Sequence, residues 1–219
     1  MRITLTILSI IFLFFCACAG HKPAVPEEAK AILQPAEEDA NSLISDKIHQ
    51  TIVSINEFEE TQDAVKVETM QRKRKDIEDE TRDACEYLDK WKERLIDEAG
   101  GMTDVGALKH GDDTLIATRL LVKSASADTL RWHMEEVREV FLRDVKDTTA
   151  IVAGMPESIS NCIKGKEWNT QLFDHVPVYV ALTVFEKFKK DVYTGELLAL
   201  NRMLLEAKAH PAPKPKQMR

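Results

Sequence analysis

Glycine and proline are scarce in this chain. Eight of each occur in 219 residues, and the stretch from Ala36 to Glu98 contains neither. These residues punctuate sheets and loops, so a charged chain with so few interruptions is written for long helices. A surplus of positive charge is missing too. Thirty Lys and Arg against 37 Asp and Glu leave a formal charge of −7, which argues against a general nucleic-acid binder, because such a protein needs a basic face to displace counterions. Catalytic signatures are likewise missing. There is no Gly-rich phosphate loop, no Gly-x-Ser-x-Gly, no His-Glu-x-x-His and no Cys-x-x-Cys. The histidines at 49, 110, 133, 175 and 210 have no second His or Cys three or four residues away, the spacing a helical metal site requires. His133, beside Glu135, Glu136 and Arg138, reads as part of a solvated face. The acidic pairs Glu37-Glu38, Glu59-Glu60 and Glu135-Glu136 also read as charged helix surface. Neither an enzyme nor a metal or cofactor site is expected.

No apolar run is long enough to span a bilayer. The longest, Ile3 to Phe15, has 13 residues where a spanning helix needs about 20. With Arg2 before it and Ala17-Cys18-Ala19-Gly20 after it, the run reads as an export leader over residues 1–19. Two cleavage readings compete. Ala17-Cys18-Ala19 fits ordinary signal peptidase, while Ala17 before Cys18 fits a loose lipoprotein box in which Cys18 is acylated, although Phe15 stands where Leu is usual. An uncleaved anchor is a third. The acylated reading implies a periplasmic protein held to a membrane by lipid chains. Two cysteines, Cys85 and Cys162, remain for the folded part. In an oxidising compartment they can pair, or each can be a separately buried thiol; a separation of 77 residues decides neither.

Residues 20–36 carry Pro23, Pro26 and Pro35 among Lys and Glu and read as a tether. Residues 208–219, with Pro211, Pro213, Pro215, Lys214, Lys216 and Arg219, read as a disordered basic tail. Between them, residues 37–207 show four helical patterns. Ile44, Ile48, Ile52, Ile55 and Phe58 form one stripe; Met70, Ile77, Ala84, Leu88, Trp91 and Leu95 form a second, at heptad-like intervals. Either one continuous helix or a tight turn near Thr61–Asp63 joins them, and Gly100-Gly101 stops the second. Residues 102–114 form a loop, and Thr114 to Val122 is a short helix or a short strand. The third helix starts at Ser126 or Asp128, carries Leu130, Met134, Val137, Phe141 and Val145, and is closed by Gly154 and Pro156. The fourth starts near Asp174 with Pro177 in its first turn and continues through Ala181, Phe185, Phe188 and Val192 to about Ala207. The expected fold is all-α: an antiparallel bundle of about four long helices, with a loop- or strand-like insert between the second and third.

Trp168, Phe173, His175, Pro177, Tyr179, Phe185 and Phe188 crowd into about twenty residues. Such a cluster either fixes the entry of the last helix, with His175 hydrogen-bonding a neighbouring loop, or forms a contact patch for a partner.

The order Glu167-Trp168 … Phe173-Asp174-His175-Val176-Pro177 … Ala181-Leu182 … Phe185 … Phe188 … Asp191-Val192 … Glu196 … Leu200 resembles the last helix of the N-terminal domain of the GldM/PorM family. Glu98-Ala99-Gly100-Gly101, the Gly111-Asp112-Asp113 loop and Ala117-x-Arg119-Leu120-Leu121-Val122 resemble that family's loop after its second helix. Glu135-Glu136-Val137-Arg138-Glu139 follows in the same order, so the likeness extends over roughly residues 40–205. The resemblance implies a periplasmic, dimeric helical bundle in the type IX secretion and gliding machinery of Bacteroidetes, coupled through a membrane helix to a motor partner and followed by β-domains. The sequence departs at both ends: its apolar run is short and ends in cysteines, and it stops after the first domain. The expected function is therefore that of a non-enzymatic periplasmic adaptor that contacts envelope or secretion-system proteins, or a second copy of itself, without direct transmission of force. A structural helical lipoprotein of the envelope is the alternative.

Overall fold

A computed structural model describes residues 27–104, 106–124, 126–143, 152, 154–156, 158 and 168–209. The contacts divide the chain into two units, Met1–Leu33 and Gln34–Arg219. The first is described only from Glu27, where helix α1 (Glu27–Glu59) opens; the bundle belongs to the second. Helix α1 thus reaches back into the stretch read as a tether and includes Pro35. The run Glu27-Glu28-Ala29-Lys30-Ala31 is made of strong helix formers, which outweighs the one backbone bond a proline removes.

Helix α2 (Ala64–Glu98) is bounded by its own sequence. The Asp63 carboxylate caps its start by accepting the Lys66 N–H at 3.0 Å. At its end Gly100 and Gly101 adopt φ of +83° and +80°. The Gly101 N–H bonds the Ile96 carbonyl and the Gly100 N–H bonds that of Asp97, which satisfies the last free carbonyls. A turn at residues 60–63 therefore separates α1 from α2, and the continuous-helix alternative falls.

The insert that follows is a loop closed by one isolated bridge, Met102 to Leu108. Thr114–Val122 is helical, not a strand: α3 (Leu115–Ala117) continues directly as a π-helical turn (Thr118–Val122). A lone segment without a strand to pair with satisfies its backbone only by closing bonds on itself. Helix α4 (Ser126–Leu142) begins as expected but ends well before Gly154 and Pro156, with the Arg143 N–H turned back to the Val140 carbonyl. Asp144, Asp147, Thr148 and Thr149, all weak helix formers, come next in the sequence. Val145 lies outside the described residues. A short α5 (Trp168–Phe173) precedes α6 (Val178–Ala209).

Helix α2 is the central element and runs antiparallel to its three long neighbours. Gln71 of α2 reaches Glu59 of α1, Tyr87 stacks on His133 of α4, and Asp89 pairs with Lys189 of α6. Leu88 and Leu95 of α2, Met134, Val137 and Phe141 of α4, and Phe185, Val192 and Leu200 of α6 are buried together. Trp91 and Phe188 join them at 9% and 4% exposure, so the stripes of α2, α6 and the described part of α4 are buried, while on α1 Ile44, Ile52 and Phe58 are only partly buried against the core. Ile48, Thr51 and Ile55 bring α1 onto the same core.

Candidate interaction face

The described residues hold no group of three or more His, Cys, Asp or Glu side chains able to bind a metal. Their chemistry gathers instead in three places, two internal and one external.

The first is the turn before α6. Trp168 and Phe173 are buried, at 4% and 0% exposure, with their rings edge to face at 6.1 Å. Phe173 in turn stacks on Phe185 at 5.6 Å, which fixes α5 beneath the start of α6. His175 adopts a positive φ of 51°. Its backbone N–H donates to Thr118 Oγ1 at 2.7 Å, and Thr118 lies 3.1 Å from the Asp174 carboxylate. The bond to the neighbouring segment is therefore made by the His175 backbone, while its imidazole stays exposed beside Asp174 at 2.8 Å. Pro177 stands one residue before α6, not in its first turn, and its carbonyl accepts the Val180 and Ala181 N–H groups. Of the four residues singled out in the sequence, Trp168 and Phe173 serve the core, Pro177 sets the backbone, and only His175 offers its side chain to solvent.

The second place is the seam between α2 and α6. Lys92 pairs with Glu186, and Lys189 with Asp89 at 2.6 Å. Further along, the Cys85 thiol meets Tyr193, and burial pushes its pKa up to about 11, so it is unreactive as a nucleophile. Burial raises the Tyr193 phenol as well. Cys162 lies outside the described residues. Glu196, 5% exposed, has its carboxyl pushed up to about 8 by burial, with Glu78 adding repulsion. Thr81 Oγ1 is buried there without a hydrogen-bond partner among the described residues.

The third is on the surface between α2 and α4. Trp132 is 55% exposed, an unusual state for a tryptophan. It is not isolated. Its ring lies 4.9 Å from that of His133, His133 lies 4.0 Å from Tyr87, and Tyr87 lies 6.5 Å from Trp91. The Arg94 guanidinium covers the far face of this row, 5.0 Å from the Trp91 ring. Burial lowers the pKa of His133 against the opposing pull of Glu136. One to two helical turns further along the same seam, the aromatic row gives way to carboxylates. There Glu80 is pushed up to about 7 by burial, with Glu136 and Asp83 contributing repulsion. Sequence periodicity missed this row. Trp132 sits two residues from Leu130 and Met134 and so falls off the buried stripe, and that offset was the available signal.

No helix among the described residues is long and apolar enough to cross a membrane. No curated protein matches the chain. A family description does: that of the GldM N-terminal domain, over residues 36–206. The match takes in α2, the glycine stop, the 115–122 turn, α4, the Trp168–Pro177 segment and nearly all of α6, and the chain belongs to the GldM N-terminal domain family.

Proposed function

We propose that this protein is a non-enzymatic adaptor of the gliding-motility and type IX secretion machinery, acting in the periplasm by protein–protein contact. The observation that carries the reading is the family match across the whole bundle, since GldM is a component of that machinery. The placement of the side chains supports it. Charged groups on the inner seam tie α2 to α6, and the aromatic row on α2 and α4 runs from the buried Trp91 out to the exposed Trp132. Acylation at Cys18 would hold such an adaptor at a membrane with the bundle projecting into the periplasm.

Cross-linking in native envelopes, followed by identification of the captured partners, tests the proposal. Capture of secretion or gliding components, together with loss of secretion or gliding when the chain is deleted, is the expected result. Intact secretion and gliding in the deletion strain, with cross-links only to wall-associated proteins, would overturn it in favour of a structural envelope role.

A further inference from the structure

We propose that the seam between α2 and α4, centred on Trp132, docks a basic segment of a partner protein that carries an apolar anchor. The inference rests on the adaptor reading and names the surface through which the adaptor works. It starts from an exposure that is otherwise unfavourable. A tryptophan left 55% in water forgoes burial of a large apolar side chain, although the half-buried rings of His133 and Tyr87 lie beside it, tilted to each other by 39°. Tryptophan and tyrosine presented in this way are the residues that most often anchor interfaces.

Charge identifies the occupant. Asp83 and Glu136 repel Glu80 across the seam, with Arg143 opposing them, and Arg143 is also paired with Asp76 at 3.7 Å. His133 lies 3.9 Å from Glu136, and burial lowers its proton affinity. Asp83 pairs with Arg82, but both are exposed and held at 3.2 Å, a contact that solvent largely screens. The seam thus joins an aromatic platform to an under-neutralised acidic stretch. Lysine and arginine side chains satisfy both halves: they pair with the carboxylates, and they lie over aromatic faces as Arg94 already does on Trp91.

Two measurements on the full chain decide the matter. The first is titration with a synthetic helical peptide that bears lysines at every fourth position and one phenylalanine, against the same peptide with glutamate in place of lysine. The expected result is binding of the lysine peptide that weakens at least tenfold in Trp132→Ala and about fivefold or more in the Glu80→Gln/Glu136→Gln pair, and that falls as salt is raised. The melting temperature should be unchanged in Trp132→Ala, whose side chain lies outside the core, and should not fall in the Glu80→Gln/Glu136→Gln pair, which removes a repulsion between half-buried carboxylates. Equal binding of the glutamate peptide, or wild-type affinity in Trp132→Ala, would overturn the proposal. The second measurement places a benzophenone amino acid at position 132 in cells and sequences the cross-linked peptide. A peptide of net positive charge from another protein is expected. A neutral or acidic peptide, or a second copy of this chain, would overturn the assignment of the occupant. The two readings fail separately. If Trp132→Ala retains the cross-links to secretion components that the wild type makes, the docking site is wrong and the adaptor function stands. If the wild type makes none, the function itself is wrong.

Discussion

Glutamate 196 makes the stability of this bundle depend on pH in a direction opposite to that of most acidic residues. It lies on α6 facing α2, 5% exposed, with its carboxyl raised from 4.5 to about 8 by burial and by repulsion from Glu78. A folded-state value above the unfolded one means that the folded protein holds the proton more tightly. Its contribution is therefore full below about pH 4.5 and is lost as pH rises through about 8. At about 1.4 kcal/mol per pH unit, that interval bounds the loss at roughly 4–5 kcal/mol. Against a total folding stability of about 5–15 kcal/mol, this is a large share. The perturbation is Glu196→Gln, which keeps the shape and removes the ionisation. Urea denaturation followed by far-ultraviolet circular dichroism, at about pH 5, 7 and 9, should give nearly equal stability for the two proteins at the lowest pH. At the highest pH the variant should be more stable by up to that bound. Glu80, pushed up to about 7 and more open to solvent, adds a smaller slope of the same sign that Glu196→Gln leaves in place. A Glu196→Gln protein that is less stable than the wild type by the same amount at every pH would refute the reasoning. The carboxylate would then be a wanted hydrogen-bonding group and not an unwelcome buried charge.

Phe185 is fully buried and stacked on Phe173, so Phe185→Ala should cost about 3–5 kcal/mol in denaturant titration, and a loss below about 1 kcal/mol would contradict that packing. His175 holds a left-handed backbone at φ 51°, so His175→Gly should be neutral or raise stability by up to about 1 kcal/mol, while His175→Ala should lower it slightly; the paired melting curves check this. Cys18→Ala should release the protein from membrane to soluble fractions if Cys18 carries the anchor, and a wild type that is already soluble would remove the acylation proposal.

Much of the fold was legible because its signals are local. Asp63 before a long stripe and two glycines after it mark both ends of α2, since the cap and the positive-φ stop act within a few residues. The stripes through Phe141, Phe185 and Phe188 gave the buried faces for the same reason. The π-helical turn was not legible. Its wider i to i−5 bonding shows in the Lys123 N–H reaching the Thr118 carbonyl, and the Thr118 hydroxyl is held by Asp174 and His175 from a distant part of the chain. The aromatic row escaped the sequence reading on similar grounds. Periodicity tells which face of α4 is buried, but not which exposed residue of α4 lies beside Tyr87 of α2.

Exposure alone does not make Trp132 a site, for Leu43, Val65 and Leu205 are more exposed still. Single apolar residues on a surface are ordinary. What separates Trp132 is continuity. Its ring belongs to an unbroken series through His133, Tyr87 and Trp91, and the last of these is part of the core. A partner seated on Trp132 would therefore press on the packing of α4 against α2, not on a side chain free to swing away. Helix α2 is also the element against which α6 is tied by the Lys92–Glu186 and Lys189–Asp89 pairs. Binding at the seam would thus favour the arrangement of α2 and α4 that keeps the rings in contact, while α6, tied on the opposite side by charge pairs, holds α2 as a fixed base. Under the proposed adaptor role α2 would serve as a rigid scaffold, tied to α6 by charge pairs on one side and carrying the aromatic row with its neighbouring carboxylates on the other.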